Sequence, residues 1–144
     1  MATTKLSAED RLDVMELITR YSRCLDTADI EGFLEVWRPD AVLETQGAAA
    51  RGHDELRAWA TRLIETRGVG STPPTVVHFH GMPLIHGAGD RCTAETYTII
   101  AATSDGDLRI SMVGRYFDEC VRVDGRWWIQ HRTTTTELRG PSAG

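Results

Sequence analysis

Long apolar runs, paired cysteines and clustered positive charge are all missing from this sequence. No apolar stretch approaches the roughly 20 residues that a bilayer-crossing helix needs. The N-terminus carries no apolar core of a signal peptide, so a cytoplasmic location is the expectation. Cys24, Cys92 and Cys120 are odd in number and lack C-x-x-C spacing, which reads as free thiols rather than a disulfide framework. Sixteen Lys and Arg stand against 21 Asp and Glu, a net charge of −5. Arg11, Arg20, Arg23, Arg57, Arg62 and Arg67 are dispersed along helical faces rather than gathered in a stripe. Neither nucleic acid nor an anionic membrane is therefore expected as a partner. No G-x-S-x-G occurs, and Gly87-Ala88-Gly89-Asp90 precedes no helix, which argues against nucleophilic hydrolysis and against a phosphate loop.

What is present is ordinary globular material: 144 residues, 41% hydrophobic and 26% charged, enough for a single domain over 1–138 with a flexible tail at 139–144. Ser7-Ala8-Glu9-Asp10 has the pattern of a capping box, and Val14, Ile18, Tyr21 and Leu25 then repeat at helical spacing. Asp29 caps a short second helix that Arg38-Pro39-Asp40 ends. Ala41 to Thr45 is a short strand. Leu56, Trp59, Ala60, Leu63 and Ile64 mark a third helix, stopped by Gly68. Beyond the loop from Gly68 to Pro74, which is expected to gate entry to a cavity, the character changes. Thr75 to His86, Arg91 to Thr103, Leu108 to Val123 and Arg126 to Glu137 are rich in Val, Ile, Thr, Tyr and Trp, with hairpin chemistry between them. Helices first and an antiparallel meander afterwards predict an α+β fold, the helices packed on a strongly curved sheet around an apolar pocket.

The chemistry-bearing residues form a pattern across distance. A helix carries Tyr21-x4-Asp26, and a later strand carries His78-Phe79-His80. An imidazole held by a carboxylate is a general base, and a phenol is a proton donor. Asp26 lies near a helix C-terminus, where the macrodipole disfavours an acid. The plain reading there is a turn residue, and for His78 a hydrogen-bonded core histidine. Tyr21 fits the core as well as it fits a donor, and lies about 140° round the helix from Asp26. By alternation His78, His80 and Met82 share one strand face. Arg132 falls with Trp128 and Gln130, either a surface group packed on Trp128 or a clamp for a charged oxygen. His80, Met82, Tyr97, Tyr116 and Trp37 are candidate ligand contacts, although Trp37 is most simply core. His80 and His86 lack a third ligand at metal spacing, so no metal is expected.

These motifs together resemble the SnoaL-like branch of the nuclear transport factor 2-like superfamily. The likeness rests on Tyr21-x4-Asp26-x2-Asp29, Phe33-x3-Trp37-x2-Asp40-Ala41 and Gly52. It continues through Thr75-Val76-Val77-His78-Phe79, Gly114-Arg115-Tyr116-x-Asp118 and Asp124-Gly125-Arg126-Trp127-x-Ile129-x2-Arg132. The resemblance implies a conical α+β barrel and, among its enzymes, dehydratases, a dehydrochlorinase and polyketide cyclases that work without a cofactor. It implies Asp26 and His78 as the catalytic pair, with Tyr21 and Arg132 assisting. Where related dehydratases keep a second His or an Asp, Ile99-Ile100-Ala101-Ala102 offers no titratable group. The expected activity is that of a dehydratase-like lyase or isomerase acting on a small, apolar, oxygenated ring compound. The alternatives are a ligand-binding protein of the same fold and a small accessory subunit of a ring-hydroxylating dioxygenase. The expected partners are that small molecule and further copies of the chain, as a homodimer or homotrimer.

Overall fold

Ser7 starts the first helix with a reciprocal cap. Its hydroxyl accepts from the Asp10 amide at 3.0 Å, and the Asp10 carboxylate accepts from the Ser7 amide at 3.1 Å. The computed structural model, which describes residues 4–140, runs this helix, α1, from Ala8 to Asp26. Asp29 accepts from the Gly32 amide at 2.9 Å and opens α2, Ile30–Leu34. Helix α3, Gly52–Arg67, ends where Gly68 takes a left-handed conformation (φ 70°) that a side chain would disfavour. The buried positions fall on the faces the periodicity marks: Val14, Ile18, Tyr21 and Leu25 from α1, and Leu56 and Ala60 from α3, where Trp59, Leu63 and Ile64 are only partly buried.

Seven strands follow or interleave: β1 Trp37–Thr45, β2 Ala48–Arg51, β3 Val76–His80, β4 Leu84–Ala88, β5 Arg91–Ser104, β6 Asp107–Val123 and β7 Arg126–Arg139. The sheet order is β2-β1-β7-β6-β5-β3, with β4 also paired to β5. The long strands are joined by two-residue turns in which both residues have positive φ, Asp105-Gly106 and Asp124-Gly125, the geometry whose twist suits a hairpin. The sheet is a meander at one end only, because β1 pairs with β7 in parallel. The single strand expected from Thr75 to His86 is two strands. Gly81-Met82-Pro83 separates them, and Pro83 has no amide to give to a ladder. The expected tail is partly built in: Arg139 closes β7, and the Gly140 amide donates to the Ser111 carbonyl at 2.9 Å. The rest of that tail, 141–144, lies outside the described residues.

Curvature comes from bulges. Pairing skips one residue at Ser111 between β5 and β6, and at Glu137 and Gln130 between β6 and β7. An extra residue on one strand bends the sheet and increases its twist. The sheet curls around α1 without closing, and its concave side meets the helices through Ala94, Tyr116, Cys120, Trp127 and Ile129. Cys24, Cys92 and Cys120 are buried free thiols within this interior.

Asp10 ties the start of α1 to the far strands. Its carboxylate accepts from the Trp127 indole N–H at 3.0 Å and from Arg122 Nη1 at 2.7 Å. The Trp127 and Ser7 hydrogen bonds pull its pKa from the ordinary 3.8 down to about 2. A carboxyl depressed in the folded state stabilises the fold above its unfolded pKa and loses that contribution as pH falls through the folded value. The free energy of unfolding is therefore expected to drop between pH 3.8 and about 2. Asp10→Asn should flatten this part of the pH dependence, as measured by urea unfolding at each pH.

Candidate active site

The edge strand β3 presents backbone amides that no neighbouring strand covers, and Asp26 at the end of α1 supplies an acceptor. Asp26 Oδ2 accepts from the His78 backbone N–H at 3.0 Å, while Oδ1 meets the His78 ring at Nδ1, 2.6 Å away. One carboxylate thus holds a single residue by both main chain and side chain. An ionised carboxylate only accepts, so Nδ1 carries the proton and Nε2 keeps the lone pair of the neutral ring. Among the described residues no side chain or carbonyl bonds Nε2. The pair is nearly enclosed yet reaches the surface: the His78 side chain is 7% exposed and that of Asp26 12%.

Deeper in the cone lies a second polar group. Arg132 is fully buried, and its Nε and Nη2 donate to the two oxygens of Asp118 at 2.6 and 2.7 Å. Burial opposes its charge, and Asp118 more than compensates, so the guanidinium stays protonated. Its planar group lies over two rings, 4.2 Å from the Tyr21 centroid and 4.0 Å from that of Tyr116. The remaining nitrogen, Nη1, is buried without a partner. Alternation misassigns this residue. The Gln130 bulge resets the count, so Arg132 shares the inner face with Trp127 and Ile129 and not with Trp128 and Gln130. The surface reading of Arg132 is thereby overturned.

Tyr21 packs among Phe33, Trp37 and Tyr116, with centroids 5.4 to 5.9 Å away. Burial raises its pKa, as it does that of Tyr116, so both phenols stay protonated. No hydrogen bond joins Tyr21 to Asp26 or His78 among the described residues, in keeping with their separation round the helix. His80 does share the face of His78. Its ring meets Tyr116 at 5.3 Å, its Nε2 is bonded to the Ser22 hydroxyl, and its Nδ1 is buried and unpartnered. Burial, with Arg132 and His78 nearby, pushes its pKa down to about 4. Trp37 is wholly core.

Two of the expected ligand contacts are not brought to this interior. Met82 lies beyond the end of β3 and is 82% exposed, because Gly81 and Pro83 stop the strand before alternation reaches it. Tyr97 is 53% exposed on the outer face, where Arg115 lies over its ring and donates to its hydroxyl at 2.9 Å. That outer face also bears a groove of about 320 Å3 lined by Glu44, His86, Glu95, Phe117, Glu119 and His131, on the side away from His78. Sequence reasoning gave no role to Ser22 or Asp118. Ser22 stands one helical turn before Asp26, and Asp118 is the acid two residues after Tyr116 on an inward-facing strand, so both signals were present. Among the described residues no three His, Cys, Asp or Glu side chains converge as metal ligands would, and no helix is long and apolar enough to cross a membrane.

The sequence matches the family model of the SnoaL-like domain over residues 6–133. A protein of unknown function with a cystatin-like fold from Nostoc punctiforme is 26% identical, over 93% of this chain and 96% of its own, with a TM-score of 0.83. A provisionally named scytalone dehydratase from Novosphingobium aromaticivorans is 19% identical over 94% and 89% of the two chains, TM-score 0.78. The β subunit of a provisionally named aromatic-ring-hydroxylating dioxygenase from the same organism is 19% identical over 92% of each, TM-score 0.74. The last two likenesses are of fold alone. No functionally curated protein matches the sequence.

Removing one partner of a buried ion pair leaves an uncompensated charge, which typically costs about 3–5 kcal/mol. Asp118→Ala is expected to destabilise the fold by roughly that amount, seen as a lowered midpoint of urea unfolding. A midpoint close to the wild type would show that the Arg132 charge reaches water.

Proposed function

The chain belongs to the SnoaL-like domain family, and from that premise we propose that it is a cofactor-independent lyase or isomerase acting on a small, largely apolar, oxygenated ring compound. The observation carrying this reading is the Asp26–His78 clamp. It fixes the Nδ1–H tautomer and leaves Nε2 as a free base at the edge of the interior.

In this reading His78 Nε2 takes a proton from a carbon next to a carbonyl. The electron pair left behind becomes an enolate, and the imidazolium that forms is paired with Asp26. For a β-hydroxy ketone the enolate then expels the hydroxyl as water, with Tyr21 giving the proton; for an isomerisation the proton returns to another carbon. Arg132 Nη1, buried and unpartnered, is the donor available to a developing oxyanion. Asp118 occupies the Nε/Nη2 edge of the guanidinium, so Arg132 meets the oxygen end-on through Nη1 rather than through a two-toothed fork. His80, kept neutral by burial, adds no second positive charge.

A second reading is favoured by the outer sheet face, where Phe79, Tyr97, Ile99 and Phe117 are exposed together. It makes the chain a binding or accessory subunit that associates through this face, as a homodimer, a homotrimer or with a larger partner.

The test uses 1-tetralone in D2O and 3-hydroxy-1-tetralone in water, following deuterium uptake beside the carbonyl and loss of water by NMR. The wild type is expected to catalyse one or both, and His78→Ala and Asp26→Asn to lower the rate by about a hundredfold or more each, the usual contribution of a general base. Variants that keep near-normal rates sink the mechanism. A ring ketone bound but recovered without deuterium favours the second reading.

A further inference from the structure

Two bonds between side chains join α1 to β3, and only one of them belongs to the catalytic pair. Asp26 meets His78, and one helical turn earlier the Ser22 hydroxyl meets His80 Nε2. The spacing on the two sides matches. Four residues of helix rise about 6 Å, and two residues of strand rise about 6.6 Å. Both bonds therefore close together in one axial setting of the helix on the strand. A slip of one strand residue turns both imidazoles to the other face and breaks both bonds.

The second bond has properties that suit a fixed brace. Ser22 is buried one turn before the end of α1 and carries no charge. His80 is backed by the Tyr116 ring, and burial keeps it neutral through the range in which a free histidine titrates. Nothing in the acid–base cycle proposed for His78 calls for either residue to change its proton count.

We propose that Ser22 and His80 are positioning residues for His78: by fixing the axial setting of α1 on β3 they hold the His78 ring in the one tautomer that leaves Nε2 free. This rests on the reading of His78 as the proton acceptor, but it is tested without turnover.

The experiment compares Ser22→Ala, His80→Leu and His80→Gln with the wild type. One readout is the ring nitrogen shifts of His78 in 15N-labelled protein. The other is hydrogen exchange of the His78 amide, which donates to Asp26. In Ser22→Ala and His80→Leu the His78 ring is expected to populate both tautomers, and its amide to exchange about tenfold faster. In His80→Gln the side-chain amide reaches the place of Nε2, so both readouts should stay within about threefold of the wild type. Unchanged readouts in Ser22→Ala and His80→Leu overturn the proposal. So does a Gln variant that behaves like the Leu variant, or a Ser22→Ala protein whose amides lose protection evenly across the sheet, because the bond is then only a stabilising contact. A protein with these shifts but no activity on ring ketones refutes the enzymatic reading and leaves the brace intact.

Discussion

A full positive charge sits where water does not reach, and much of the interior is arranged around keeping it there. Removing a guanidinium from water costs several kcal/mol unless its charge and its hydrogen-bonding groups are met. Asp118 meets the charge and two of the three nitrogens with short bonds, and Tyr21 and Tyr116 lie over the planar faces; Nη1 alone has no partner. The three elements involved, α1, β6 and β7, are thereby held to one mutual arrangement. The strand register must put residue 118 opposite 132, and α1 must bring the Tyr21 ring over the pair. Packing alone would tolerate looser settings, since apolar contacts lack direction.

That arrangement also sets the chemistry. Burial, with the charge of Arg132 beside it, keeps His80 neutral, and burial keeps the two phenols protonated against the pull of that charge. At the rim, Asp26 fixes His78 by backbone and ring together. The interior thus grades from a permanent cation at depth, through neutral donors, to an imidazole near the surface.

Much of this was legible in the sequence, and the misses have identifiable causes. The three helices follow from Ser7, Asp29, Gly68 and the apolar spacing, since caps and periodicity are local signals. The Asp26–His78 contact is long-range, and only the family likeness pointed to it. Alternation failed at Met82 and Arg132 for related reasons. It is valid within an unbroken strand, whereas Pro83 ends one strand and Gln130 inserts a residue into another. Tyr97 failed differently: alternation groups residues by face without saying which face is concave. β2, Ala48–Arg51, has no alternation to read, and exists because β1 offers it an edge.

The Gln130 bulge has a consequence for how such a cone changes its contents. Along β7, whether a side chain points inward depends on parity, odd or even, counted from the last fixed residue. A strand running straight through would send His131 inward and Arg132 into solvent. One inserted residue reverses that outcome as far as the next bulge, at Glu137, while leaving every residue type between them unchanged. Its side chain is anchored by a 3.1 Å bond to Asp40 on the neighbouring strand. The lining of the interior is therefore set by length as much as by composition, and a chain of near-identical residues without this insertion would enclose a different set of groups.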